Sequence, residues 1–183
     1  MILMSIDGST KSSGVAIFQD KTLIHYECVT ASSTEKIKRI NKMVTRFEEL
    51  FIEYNVDKVI MEEPLPADVK NNKRVYKALM YLQAETVIRL YTDLKYKVED
   101  NNFIPVNTWR SKLGITVGRY GQRASVKQED INFVKKEYGI DVNDDIADSI
   151  CIGYAYLNYS DLTSTVESEK ASYGRIGTGP SAF

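Results

Sequence analysis

The sequence predicts an α/β domain on a mixed five-stranded sheet, three antiparallel strands followed by parallel ones, flanked by helices. Three observations predict it. The short apolar segments 1–7, 13–18 and 22–29 follow one another across brief polar turns, which fits an antiparallel meander. The run Val59-Ile60-Met61 is apolar at consecutive positions, as in a parallel strand buried on both faces. Between that run and the meander lies a long segment of helical period, and strands and helices keep alternating beyond it. A crossover of this kind brings the fourth strand beside the first and parallel to it.

The elements follow in order. The first helix is predicted from Thr34 to Tyr54. Ile37, Ile40, Met43, Val44, Phe47, Leu50, Phe51 and Tyr54 recur at three- and four-residue steps, and Thr34 or Ser33 can cap it. The fourth strand spans Val56 to Glu62 and stops at Pro64-Leu65-Pro66. A second long helix is predicted from Asp68 to Leu94, with basic first turns and apolar later ones. A fifth strand, Phe103-Ile104-Pro105-Val106, precedes a short helix through Trp109-Arg110-Ser111-Lys112-Leu113, capped by Asn107 or Thr108. Residues 114–123 carry three glycines and two arginines and read as an exposed loop. Two helices close the domain, Ser125–Tyr138, stopped by Gly139, and Asn143–Tyr159. The domain is expected over residues 1–159, and 160–183, polar and aperiodic, as a flexible tail.

The chain has 183 residues and is 43% hydrophobic, enough for one packed core. No apolar run reaches the ~18 residues that a membrane span needs. Asp7 interrupts the first apolar stretch and no basic segment precedes it, so no signal peptide is expected. Cys28 and Cys151 sit in apolar segments and read as buried free thiols. With no CxxC pair and one histidine, a zinc site is not expected. The net charge of −1 hides a segregation. Residues 66–127 hold twelve Lys/Arg against five Asp/Glu, a net +7, while 141–183 hold two against seven, a net −5. A basic middle beside an acidic cluster fits a polyanion held against bound metal, although a solvated set of lysine-rich helix faces has the same composition.

Three groups of acids stand at element ends: Asp7 after the first strand, Glu62-Glu63 after the fourth, and Asp144-Asp145-Ile146-Ala147-Asp148 opening the last helix. Singly each has a plain explanation. Asp7 can cap the turn at Gly8, one of the two glutamates can face solvent, and acids in a first helical turn complement the macrodipole. Together they need a common reason, because the topology sets Asp7 and Glu62 side by side and burying bare carboxylates is costly. Asp145 and Asp148, three apart, share a helix face. Such a cluster suggests a divalent-metal site.

Ile6-Asp7-Gly8-Ser9 with Ser13-Gly14-Val15-Ala16, then Val59-Ile60-Met61-Glu62, then Asp145-Ile146-Ala147-Asp148-Ser149, resembles the RuvC-type Holliday junction resolvases of the RNase H-like superfamily. The resemblance spans about residues 1–158 and looks most like a divergent phage or prophage member. It implies that Asp7, Glu62, Asp145 and Asp148 are catalytic metal ligands, with Glu63 and Asp144 in reserve. It also implies two Mg²⁺ ions, replaceable by Mn²⁺, that activate water in an in-line displacement; His25, on a strand of the meander, is not expected as a base. It makes Lys127 a DNA-contacting position, and Arg110 or Lys112 another. The leucine at 65 stands where bacterial members often carry an aromatic wedge, which puts junction opening by stacking in question.

The expected function is a metal-dependent, structure-selective endonuclease on four-way junctions or other branched DNA, cytoplasmic, in a bacterial host if phage-encoded. Phosphate contacts are expected from Lys70, Lys73, Arg74, Lys77, Arg119, Arg123 and Lys127, and stacking from Tyr120. Paired cuts imply a homodimer, with Met80, Tyr81 and Leu82 of the second helix as the face, unless that helix packs on its own sheet. Two rivals remain: a ribonuclease of the same fold acting on RNA–DNA hybrid or rRNA precursor, and a non-catalytic branched-DNA-binding module.

Overall fold

The chain alternates residues between two faces of one sheet, and that alternation builds the molecule. The computed structural model describes residues 1–64, 73–91, 102–115 and 123–159, with backbone alone for Tyr91 and Arg123. The strands are β1 (Ile2–Asp7), β2 (Ser12–Gln19), β3 (Thr22–Thr30), β4 (Lys58–Glu63) and β5 (Phe103–Pro105). The helices among the described residues are α1 (Lys36–Glu53), α2 (Lys73–Tyr91), α3 (Val106–Lys112), α4 (Arg123–Tyr138) and α5 (Asp144–Asn158).

The strand order is β3-β2-β1-β4-β5. β1–β2 and β2–β3 pair antiparallel, while β1–β4 and β4–β5 pair parallel. This is the mixed sheet that the sequence predicts. Met4, Ile6, Val15, Ile17, Val59 and Met61 point to one face, where Ile40, Met43, Val44, Phe47 and Leu50 of α1 and Ala78, Leu82 and Leu90 of α2 cover them. Leu3, Ala16, Phe18 and Ile60 point to the other, under α3, α4 and α5. With a side-chain period of two, Asp7 falls on the face of Leu3, and Glu62 on the face of Ile60. Both acids therefore look toward α5.

α5 is the element that the sheet is built to receive. Gly14 leaves it room, since a Cβ there would stand 1.7 Å from the Asp145 carbonyl oxygen. Gly153 does the same further along, where a Cβ would lie 2.3 Å from the Phe18 ring. Between them the buried Ser5 hydroxyl donates to the Ser149 carbonyl at 2.8 Å. Asn143 caps the helix, its Oδ1 accepting from the Ile146 N–H at 2.9 Å.

Several element ends differ from expectation. α1 begins at Lys36 with Glu35 at the N-cap and no side-chain cap, because Ser33 spends its hydroxyl on the Glu35 N–H at 3.2 Å. α3 begins at Val106, earlier than Asn107 or Thr108 could cap. Pro105 presets φ at −60°, and the chain turns directly from β5 into the helix. α4 begins at Arg123, two residues before Ser125. Cys151 is buried as expected, but Cys28 is only half-buried; both are free thiols. The flanks of the second helix, most of the glycine loop and the tail 160–183 lie outside the described residues.

α2 lies beside α1. Tyr81 Oη donates to Asn41 Oδ1 at 3.0 Å and Arg89 Nη1 to Thr45 Oγ1 at 2.9 Å, so the two helices run parallel. Of the residues expected on a dimer face, Leu82 is buried and Tyr81 turns to α1, leaving Met80 exposed with Ile88 one outer stripe along.

The outer edge is fastened by charge. Arg46 forks Glu27 of β3 through Nε and Nη2, both at 2.8 Å, and His25 joins at 3.2 Å. Hydrogen bonding from Arg46, against burial, holds the Glu27 carboxyl below its ordinary 4.5. A depressed acid contributes stability above the unfolded pKa and loses it as pH falls through the folded one. Glu27→Gln should therefore lower the melting temperature at pH 7, and the gap to wild type should narrow progressively as pH falls below the ordinary glutamate range of about 4.3. Thermal melts across that range check it; a gap that does not narrow with falling pH would assign the loss to packing instead.

Candidate functional site

β1, β4 and the first turns of α5 end at one corner of the sheet, and they bring four acids with them. Register places Asp7 opposite Gly14, whose missing side chain admits the Asp145 backbone. Ile6 pairs with Met61, so Asp7 and Glu62 are the next positions on adjacent parallel strands. Glu63, one residue on, faces outward and is exposed.

The acids feel one another. Burial, then the charges of Glu62 and Asp145, push the Asp7 carboxyl well above the usual range, with Lys127 and Arg110 opposing. Asp148 is pushed to about 10 by burial, by Asp7 and by a hydrogen bond with Asp130. Each of the other acids has found a donor. Ser12 Oγ donates to Asp145 Oδ2, and the Cys28 thiol lies 3.9 Å from the same oxygen. Trp109 Nε1 donates to Glu62 Oε2 at 3.1 Å. Arg110 Nη2 reaches Asp148 Oδ1 at 3.4 Å and Asp130 Oδ2 at 2.7 Å. Lys127 pairs with Asp144, whose carboxyl this hydrogen bond lowers. Asp7 alone of the four receives no hydrogen bond from a described residue.

That orphaned carboxylate bears on metal binding. A desolvated acid beside two others needs a cation, and an all-oxygen donor set suits a hard divalent ion such as Mg²⁺. Among the described residues no three acid, histidine or cysteine side chains converge on one point. The chemistry of the donor set fits the ion.

The basic residues divide. Lys73, Arg74 and Lys77 stand exposed on the first turns of α2, the helix whose Gln83 Nε2 donates to the Glu62 carbonyl at 3.2 Å. Lys112 is half-exposed on α3. Arg110 faces inward, with 14% of its side chain exposed, between Asp130 and Asp148. Lys70, Arg119, Tyr120 and the Arg123 side chain lie outside the described residues. Two residues of the corner escaped the sequence reading. Asp130, fully buried, stands four residues from Val126 and from Val134 on the apolar stripe of α4, and that spacing was its signal. Trp109 was read as packing, yet a buried indole N–H needs an acceptor, which is Glu62.

A mixed sheet of this order, with helices on both faces and the last helix seated across its first strands, defines the RNase H-like fold. Within it the chain matches RuvC of Thermus thermophilus. The structure of that protein in complex with a Holliday junction substrate aligns with a TM-score of 0.67 over 88% of this chain and 96% of that one. A second Thermus thermophilus RuvC structure aligns equally well over 89% and 97%. Sequence identity is 14% in both, so what is shared is the fold. No protein-family model and no curated protein matches the chain.

Proposed function

We propose that this chain is a divalent-metal-dependent, structure-selective DNA endonuclease that resolves Holliday junctions or related branched DNA. The observation that carries the reading is the presence of Asp7, Glu62, Asp145 and Asp148 at one corner of a RuvC-like fold, with Asp7 lacking a donor among the described residues. Asp7, with Glu62 and Asp145 or Asp148, would hold the ions, with Asp144 and Glu63 as reserve acids. Mg²⁺, or Mn²⁺ in its place, would supply charge stabilisation at the scissile phosphate and activation of water when bound. The chain's own cations do different work. Lys127 and Arg110 balance the acids, while Lys73, Arg74 and Lys77 are placed to hold phosphates along a DNA arm without reading sequence. Paired incisions across a near-symmetric junction call for two copies of the site. The exposed Met80 and Ile88 of α2 are the apolar surface that a second copy would cover. No helix among the described residues is long and apolar enough to cross a membrane, and a cytoplasmic enzyme fits that.

Labelled four-way junction, fork, flap and RNA–DNA hybrid, incubated with Mg²⁺ or with EDTA, test the proposal. Cutting of the branched DNAs in Mg²⁺ alone supports it. Cutting of the hybrid alone would transfer the activity to a ribonuclease, and junction binding without nicking would leave a binding module.

The basic turn gives a separate expectation. Changing Lys73, Arg74 and Lys77 together to alanine should weaken binding to every branched DNA by a similar factor. Each lost phosphate contact should remove about 0.9 from the log–log salt slope on duplex arms. Binding titrations at several salt concentrations read the slope, with circular dichroism as the folding control. An unchanged slope would make this cluster a solvated helix face.

A further inference from the structure

Two consecutive residues of α3 each reach a different acid of the corner, and they do so from opposite chemistry. Trp109 is fully buried, and its indole N–H meets Glu62 at 3.1 Å. Arg110 lays its guanidinium over the Trp109 ring, 4.6 Å from the centroid, and extends to Asp148 at 3.4 Å. The guanidinium is fixed from behind by Asp130, fully buried on α4, through Nη2 at 2.7 Å and Nε at 3.4 Å. A planar fork between two carboxylates and an aromatic face has one orientation, which lysine could not reproduce. Pro105 starts the helix without slack, and Val106 anchors its first turn in the core.

We propose that α3 is the positioning element of the acid corner: Trp109 sets the outer oxygen of Glu62, and Arg110, braced by Asp130, sets that of Asp148. The inference rests on the reading of the corner as a divalent-metal site. The two residues contact the ligands and not the reacting phosphate, so their role is to preorganise. A carboxylate whose outer oxygen is held by a fixed donor presents its other oxygen in one direction, and partners of this kind are worth 10–100-fold in metal affinity. Asp130 gives α4 a part in the site although it supplies no ligand. The arrangement also turns the Nε and Nη2 donors of Arg110 inward, to Asp130 and Asp148.

Calorimetric titration with Mn²⁺ alone, without DNA, tests this on wild type, Trp109→Phe and Arg110→Lys. Phenylalanine keeps most of the ring and loses the donor; lysine keeps the charge and loses the fork. Each variant should bind Mn²⁺ about tenfold more weakly or worse while its melting temperature stays within a few degrees. Activity should then return at raised Mg²⁺. Wild-type affinity in both folded variants would overturn the role of α3 and leave the metal site standing. A wild-type protein that binds no Mn²⁺ would overturn the metal reading and this inference with it. A second readout needs no change in α3. Trp109 is the single tryptophan, so its emission should respond to Mn²⁺ with the calorimetric midpoint, and Glu62→Gln should abolish that response. Mn²⁺ binding that leaves the emission unchanged would overturn the Trp109–Glu62 contact as a part of the site.

Discussion

Asp7→Asn should abolish cleavage in Mg²⁺ while junction binding survives. The loss should exceed the roughly 100-fold ceiling for partners that only support a metal ligand, because on the proposed reading a ligand itself is removed. Affinity for DNA comes largely from Lys/Arg–phosphate contacts, which the change leaves alone. The same substitution should raise the melting temperature in EDTA. Burial, Glu62 and Asp145 all oppose the Asp7 charge, and asparagine removes it at nearly constant volume. Loss of activity with gain of metal-free stability is the signature of a residue kept for chemistry. Gel assays of nicking and of binding, with paired melts, read all three quantities. Wild-type nicking by this variant would end the metal role of Asp7.

Gly14→Ala should be the most damaging glycine-to-alanine change among the described residues. Its Cβ would stand 1.7 Å from a backbone oxygen of Asp145, and no side-chain rotation can relieve that. Overpacking of this kind costs typically 1–3 kcal/mol and occasionally more, and a backbone obstacle puts this case at about 3 or beyond. For a chain of this size the melting temperature should fall by about 10 °C. Activity should fall further than stability, because relief requires α5 to withdraw, taking Asp145 and Asp148 from the corner. A melting temperature within about 2 °C of wild type would mean that α5 does not approach β2 this closely.

How much of this was legible in the sequence follows the physics of each element. The strands and the parallel crossover could be read because apolar residues there recur with period two or in unbroken runs, and one chain order satisfies them. Asp7 and Glu62 fell on one face by the same arithmetic. Gly14 was visible only as part of a motif, and its reason, the close passage of α5, is a tertiary fact. Asp130 and the inward turn of Arg110 were hidden because a charged residue on a helix ordinarily faces water. Only the partner on the neighbouring helix shows why these do not. The early start of α3 was missed because side-chain capping was expected where proline had already set the backbone.

Ser5 and Ser149 stand 144 residues apart and meet through one hydrogen bond. The face of the sheet that carries Leu3, Ala16 and Phe18 thus waits for the last described helix to be made. During synthesis the meander and its first two helices can form early, but they present an apolar surface without its cover until residue 158 has left the ribosome. Contacts of such separation slow folding, since a long loop must close before any burial rewards it. The nascent chain therefore passes through a stage open to aggregation and to chaperones. Its acids assemble only when that stage ends, so an incomplete chain carries no acid corner.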